Sequence, residues 1–346
     1  MINRIPISEV LRLKENLPLL DIRSPKEFAA GHIPGALSFP LFSDEERHQI
    51  GTAYKQINQE RAVLMGLDFF GPNMSKMVKQ AKKLAPQKEV LLHCWRGGMR
   101  SQSVAWLLDL AGFTVHLLDL GYKSYRHFAL EKFEEKYPML LIGGSTGSGK
   151  TDILQELQKL GEPVIDLEKL ANHKGSAFGT IGMPPQSTIE QFENDLALEL
   201  AALNRNKTTW LEDESKSIGR VNIPKPFHEQ MRAAPVLKLE IPREVRVRKL
   251  AEEYCQVEKA VLSNSITKIQ KRLGGLATKE ALTAIEAGDM EKMVEIALVY
   301  YDKAYTFELE HKENIQIITV PLETTNAAEN AEIVLEVARK NGMLLS

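Results

Sequence analysis

The run Gly144-Ser145-Thr146-Gly147-Ser148-Gly149-Lys150-Thr151 fits the pattern G-x-x-x-x-G-K-[ST], and its surroundings give the pattern structural force. An apolar stretch at 139–142 precedes it and an amphipathic stretch at 151–160 follows, which reads as strand, glycine loop, helix. In that arrangement the glycines let successive amides turn toward phosphate oxygens, Lys150 supplies a point charge, and the helix N-terminus adds its own partial positive charge. Thr151 stands where a hydroxyl would reach a magnesium ion. A segment of this kind commits the chain around it to an α/β fold with a parallel sheet.

The rest of the second half is consistent with that commitment. Apolar runs at 164–165, 209–212, 236–241 and 315–320 read as further strands. Helical patterns at 189–205, 243–253 and 329–340 alternate with them, and a long helical region at 257–312 is an addition to the sheet. The run Thr209-Trp210-Leu211-Glu212-Asp213-Glu214 ends a strand in carboxylates, and Asp213, then Glu214, are chosen as the acids that would hold magnesium together with Thr151. Arg243, Arg246 and Arg248 could present guanidinium groups to a diphosphate. The loop around Asn172-His173-Lys174-Gly175-Ser176 follows a strand, where α/β sheets bind ligands, so His173, Lys174 and Ser176 are candidate substrate contacts.

The chain of 346 residues is long enough for two domains, and a change of pattern near Pro138 separates 1–130 from 138–346. Strands are expected in the first part at 19–22, 36–39, 90–93 and 115–118, with a helical insert at about 44–84. No apolar stretch approaches the roughly 20 residues of a membrane helix, and the first twenty residues lack the apolar core of a secretory signal, so a cytoplasmic protein is expected. A net charge of −2 neither requires nor forbids a nucleic-acid partner. The two cysteines, Cys94 and Cys255, make no disulfide framework. Cys255, in a helical stretch, is expected to be a packing residue.

Cys94 has different surroundings. His93-Cys94-Trp95-Arg96-Gly97-Gly98-Met99-Arg100-Ser101 lies between a strand and an apolar helix, and the helix N-terminus, Arg96 and Arg100 all favour a thiolate and would cradle an anionic donor. Trp95 is equally suited to stacking on a base or to packing the loop.

Together with Asp21-Ile22-Arg23 and Gly31-His32-Ile33-Pro34-Gly35-Ala36, this loop resembles the rhodanese (sulfurtransferase) domain over nearly all of 1–130. A rhodanese-like domain followed by a P-loop NTPase-like domain is similar to the tRNA 2-selenouridine synthase family along essentially the whole sequence. The resemblance implies an enzyme acting on wobble 2-thiouridine of tRNA, with selenophosphate and geranyl diphosphate as co-substrates; Mg2+ is expected as cofactor from Thr151 and Asp213. In that reading Lys150 stabilises the leaving diphosphate. Cys94 carries selenium as a selenosulfide, with Arg96 and Arg100 receiving the phosphate. The expected partners are tRNA and a selenophosphate-producing enzyme, with no membrane; the oligomeric state stays open. A basic path for tRNA would draw on Lys76, Lys79, Lys82, Lys83, Lys123, Arg126, Lys132 and the helix at 243–249. The alternative is an ATP-dependent tRNA sulfurtransferase or a kinase-like enzyme, which nucleotide turnover would reveal.

Overall fold

The computed structural model describes residues 1–310, 312 and 315–345. Contacts divide the chain into two compact units, Met1–Lys132 with Glu193–Leu198, and Phe133–Phe192 with Glu199–Ser346.

In the first unit the order is β1 (Ile2–Ile5), α1 (Ile7–Leu13), β2 (Leu19–Asp21), α2 (Pro25–Ala30), β3 (Leu37–Ser38), α3 (Asp44–Gln56), α4 (Gln59–Leu84), β4 (Glu89–His93), α5 (Met99–Leu110), β5 (Thr114–Leu118) and α6 (Tyr122–Glu134). The five strands form one parallel sheet in the order β1-β5-β4-β2-β3. Strand residues alternate between its two faces. Leu19, Leu91 and Leu118 pack with Val10 of α1 and Tyr122 and Tyr125 of α6. Leu20, Leu92 and Leu117 pack on the other side with Phe70, Met77 and Ala81 of α4 and Val104 and Leu108 of α5. Each such leucine, fully buried, contributes roughly 1.5–3 kcal/mol. The insert is thus two helices, and one face of α4 is part of the core. Both helices begin at side-chain caps: Ser43 and Glu46 form a reciprocal capping box, and Asn58 accepts from the Arg61 amide.

The chain continues with β6 (Met139–Gly144), α7 (Lys150–Lys159), β7 (Val164–Ile165), α8 (Leu167–Ala171), α9 (Ile189–Ala202, of which Glu193–Leu198 belong to the first unit), β8 (Thr209–Glu212), β9 (Ser217–Ile218), β10 (Val221–Asn222), α10 (Lys225–Ala233), β11 (Val236–Glu240), α11 (Arg243–Tyr254), α12 (Lys259–Lys268), α13 (Gln270–Leu273), α14 (Gly275–Ala287), α15 (Met290–Glu310), β12 (Ile317–Pro321) and α16 (Ala327–Lys340). The parallel sheet of the second unit runs β12-β11-β6-β8-β7, and β9 and β10 form a separate antiparallel pair. Leu140, Ile142, Trp210, Leu237 and Val320 pack against Ile153, Leu154 and Leu157 of α7 and Val334 and Leu335 of α16. The helical addition has its own core, in which Val247 and Leu250 of α11 meet Leu262, Ile285, Met293 and Leu298. Among the described residues no helix is long and apolar enough to cross a membrane.

Cys255 departs from expectation. The residue that packs is its neighbour Tyr254, stacked on Phe178 with ring centroids 5.0 Å apart. Cys255 follows the last turn of α11 and is exposed, its thiol donating to the Glu252 carbonyl at 3.2 Å.

Candidate functional site

The first site forms where the chain leaves β4, a strand buried between β5 and β2, and turns into α5. Cys94 sits at that turn, 2% exposed, with Sγ 3.2 Å from the Ser101 hydroxyl in the first turn of α5. The carbonyls of Cys94 and Trp95 accept from the amides of Tyr122 and Lys123 at 2.8 and 3.0 Å. The cysteine loop thereby caps the start of α6, satisfying donors that a helix N-terminus leaves unpaired. Gly121, at φ +59°, is required for this approach: a Cβ there would lie 2.4 Å from the Cys94 carbonyl oxygen and 2.7 Å from the Gly97 nitrogen.

Beneath the loop, Arg23 is fully buried. It makes paired bonds to Asp21 (2.6 to 3.0 Å), a 2.7 Å bond to the Gly31 carbonyl, and a cation–π contact 3.9 Å from the Tyr122 ring centre. Burial alone would raise the Asp21 pKa, but His93 and Arg23 facing it hold it below the ordinary value. Trp95 packs at 5.5 Å from the Tyr122 ring, so its ring is part of the loop's own packing.

Arg96 is exposed and makes no ion pair among the described residues. Arg100 donates to Glu27 at 2.9 Å. Glu27 also closes a capping box with Ser24 at the start of α2 and lies 3.6 Å from Arg47 of α3. Burial raises its pKa, but Arg100, the Ser24 amide and Arg47 outweigh that and keep it ionised.

The second site is the turn from β6 into α7. Gly147 takes φ +84°, and a Cβ there would come within 2.8 Å of the Leu250 side chain of α11. Lys150 folds back on its loop, its ammonium 2.9 Å from the Gly144 carbonyl. Ser148 is buried, and its hydroxyl has no partner among the described residues. Ser145, Thr146 and Gly149 complete the loop, with Gly149 in left-handed conformation at the N-cap of α7.

Thr151 Oγ1 lies 2.5 Å from Glu212 Oε1 and 3.2 Å from Glu168 Oε2. One hydroxyl proton serves only one of these carboxylates, so the other needs a proton or a cation. Burial, and the repulsion of Glu214 on Glu168 and of Glu168 on Glu212, raise the pKa of both. Oxygens of Glu168, Glu212 and Glu214 lie within 4.8 Å of one another, and Glu212 Oε2 is buried without a partner. That orphaned oxygen beside Thr151 fits a divalent cation.

The choice of Asp213 therefore moves by one residue. Asp213 pairs with Lys312, both nearly buried, whereas Glu212, opposite Ile142 in the register of β6 and β8, is the acid that faces Thr151. Glu214 does stand in the carboxylate group. Glu168, at the start of α8, was not singled out by sequence; its residue type after a strand is no signal without the fold.

The arginines of α11 are also placed differently from the diphosphate contacts expected of them. Arg246 is buried, pairs with Asp302 through two 2.9 Å bonds, and holds the Thr146 carbonyl at 3.1 Å, so it braces the loop from outside. Arg243 donates to the Glu295 carbonyl and Lys249 pairs with Asp152, while Arg248 is exposed. In the candidate substrate loop, the His173 amide bonds the Glu168 carbonyl at 3.0 Å and the ring is buried beside Gly179. Burial first, then Lys268 and Arg220, lower its pKa. Lys174 is exposed, and Ser176 Oγ accepts from the Phe178 amide at 3.2 Å. Along the expected basic path Lys76, Lys79, Lys82, Lys83 and Lys123 are exposed. Lys132 lies over the Phe128 ring, and Arg126 is engaged by Glu193 and Asn194 of the same compact unit.

Comparison with known proteins bears on both sites. A family profile described as the tRNA 2-selenouridine synthase AAA domain matches residues 137–328, and one described as a rhodanese-like domain matches residues 7–127. The tRNA 2-selenouridine synthase of Bdellovibrio bacteriovorus is 34% identical over 354 residues, covering 86% of this chain and 90% of its own. That of Shewanella loihica is 36% identical over 353 residues, covering 90% and 92%. That of Nitrosomonas eutropha is 35% identical over 295 residues, covering 83% and 73%.

Proposed function

The chain belongs to the tRNA 2-selenouridine synthase family, tRNA-modifying transferases, and from that premise we propose that it exchanges sulfur for selenium in tRNA 2-thiouridine by two reactions at two loops. In the first, the loop 144–151 binds the diphosphate of geranyl diphosphate and the thiouridine sulfur attacks its C1. The S–C bond forms, the C–O bond to diphosphate breaks, and the N3 proton of the base leaves. Lys150 and the loop amides stabilise charge growing on the departing oxygen. A magnesium ion, when bound, would be held by Thr151, Glu212, Glu168 and Glu214 and would neutralise diphosphate charge. In the second reaction the Cys94 thiolate adds to the alkylated ring carbon and the geranyl thiol departs; the selenium of selenophosphate then displaces Cys94 from that carbon, and water takes the phosphoryl group as phosphate.

The observation that carries this reading is the pairing of loop chemistries: a buried thiol at a helix start beside arginines, and a phosphate loop whose hydroxyl faces buried carboxylates. A diphosphate leaving group with no nucleotide hydrolysis suits the second; an anionic chalcogen donor suits the first. The test is mass analysis of nucleosides from 2-thiouridine tRNA incubated with enzyme, magnesium and geranyl diphosphate, with and without selenophosphate. Geranylated thiouridine without the selenium donor and selenouridine with it are expected; Cys94→Ser should abolish only the second product and Lys150→Ala the first. Unchanged thiouridine in both wild-type reactions, with tRNA-stimulated nucleotide turnover, would replace the reading by an ATP-dependent sulfurtransferase.

A further inference from the structure

The helical insert brings a third arginine to the neighbourhood of the cysteine loop. Glu27 Oε2 accepts from Arg100 Nη1 at 2.9 Å and from the Ser24 amide at 3.1 Å, and the same oxygen lies 3.6 Å from Arg47 Nε. Arg100 belongs to the first turn of α5, one residue before the serine that touches Cys94 Sγ; Arg47 belongs to α3, the first helix of the insert. One carboxylate thus gathers two guanidinium groups from elements 53 residues apart, and Arg96 adds a third cation to the loop with no ion-pair partner among the described residues. In the first turn of α3, Asp44 Oδ1 takes the Lys26 amide at 2.8 Å and Glu46 Oε2 takes the Ser43 amide at 2.7 Å. Arg47 Nε is buried and makes no hydrogen bond.

We propose that Arg47 is a binding residue of the cysteine site, completing with Arg100 and Arg96 a three-arginine receptor for the phosphoryl end of the selenium donor. This rests on the two-loop reading above and assigns the insert a part in its second reaction. Two guanidinium groups share one carboxylate and Arg96 has no ion-pair partner among the described residues, so a phosphoryl dianion, with oxygens enough to accept from several donors at once, suits the group. Glu27 is the positioning residue: held by the capping box of α2, it accepts from Arg100 Nη1 and lies 3.6 Å from Arg47 Nε. The Arg47 side chain remains about one-third exposed although its Nε is buried.

The experiment uses the full chain and geranylated tRNA, varying selenophosphate, with inorganic phosphate as competing anion. Arg47→Ala should raise KM for selenophosphate and Ki for phosphate together, by about tenfold, while kcat changes less than about threefold. Geranylation by the same variant stays at the wild-type rate, and Arg47→Lys recovers part of the loss. Unchanged KM and Ki in Arg47→Ala would overturn the proposal. So would a fall in kcat alone accompanied by a lower urea midpoint, which marks Arg47 as packing. Failure of the underlying reading is scored on another protein: Cys94→Ser that still selenates would remove both the reading and this site.

Discussion

The two loops share a backbone plan and differ in charge. Each leaves an interior strand of a five-stranded parallel sheet and turns at once into a helix, Cys94 to Gly98 into α5 and Gly144 to Gly149 into α7. Around the first, Arg47 and Arg100 share one carboxylate, Glu27, and Arg96 has no ion-pair partner among the described residues. At the second, Glu212 and Glu168 meet Thr151 with Glu214 grouped beside them, and Arg246 and Lys249 of α11 are paired with Asp302 and Asp152. A loop of the first kind can take an anion directly. One of the second kind takes an anion only with a cation to neutralise its own wall, which is the reason for proposing a divalent ion there.

Removing one carboxylate should break that contrast most visibly. Glu212→Gln keeps the shape but loses a negative charge beside Thr151; prenylation should fall about a hundredfold at low magnesium, a loss of about 2.7 kcal/mol, with partial recovery as magnesium rises. Asp213→Asn, which removes the partner of Lys312, should instead lower stability and leave the magnesium requirement unchanged. The reverse ranking would return the metal to Asp213. The pair also sets a pH signature. Because the folded-state pKa of Glu168 and Glu212 is raised above 4.5, the folded protein keeps protons that the unfolded chain releases. Without metal, stability should therefore decline as pH rises above about 4.5, until the pair has deprotonated. Thermal melts across that range should show the decline, and Glu212→Gln or added magnesium should flatten it.

Much of this placement could be read from the chain and some could not, for physical reasons. The two loops were legible because glycines, flanking apolar runs and helix starts are local signals, and they fall at the ends of β4 and β6. Glu212 was not. All four residues of β8 are buried, so no alternation tells which of three successive acids faces the loop; the register with β6 decides it. Arg246 was visible as a cation on a helix, but its partner, Asp302, is 56 residues away. Glu27 and Arg47 escaped notice because their sequence signal is a helix cap and a solvated helix face; only the fold brings them to Arg100. The edge strand β1 was missed too: Asn3 and Arg4 make it look like loop, and it is held by pairing with β5.

A glycine in each unit sharpens the comparison on the side of packing. An alanine at Gly121 would press on main-chain atoms of the cysteine loop, at 2.4 and 2.7 Å, which cannot move without opening the α6 cap. An alanine at Gly147 meets side-chain atoms only, Leu250 Cδ1 at 2.8 Å, its Cγ at 3.0 Å and Arg246 Cβ at 3.3 Å. Both positions have positive φ, so each carries a backbone cost of about 1 kcal/mol; Gly121→Ala should add a steric cost of about 2 kcal/mol and Gly147→Ala about 1 kcal/mol. Hydrogen exchange read separately in the two units should show larger loss of protection in the first. Equal losses would mean that the loop at Cys94 is as compliant as the one at Lys150.

The smallest effect concerns tRNA. Lys76, Lys79 and Lys83 recur at helical spacing on α4 and are exposed, opposite the buried Met77 and Ala81, whereas Arg246 and Lys249 of α11 are engaged by acids of their own unit. Free lysines can neutralise phosphates and release counterions; cations already paired release little. Lys76→Gln, Lys79→Gln and Lys83→Gln should therefore each weaken tRNA binding by a few-fold and reduce the slope of log affinity against log salt by roughly 0.7–0.9, while Lys249→Gln leaves the slope unchanged. Filter binding across a salt series measures both quantities. A slope that responds to Lys249 and not to the α4 lysines would move the nucleic-acid contact from the insert to α11, and with it the distinction between a cation-rich first unit and a self-neutralised second one.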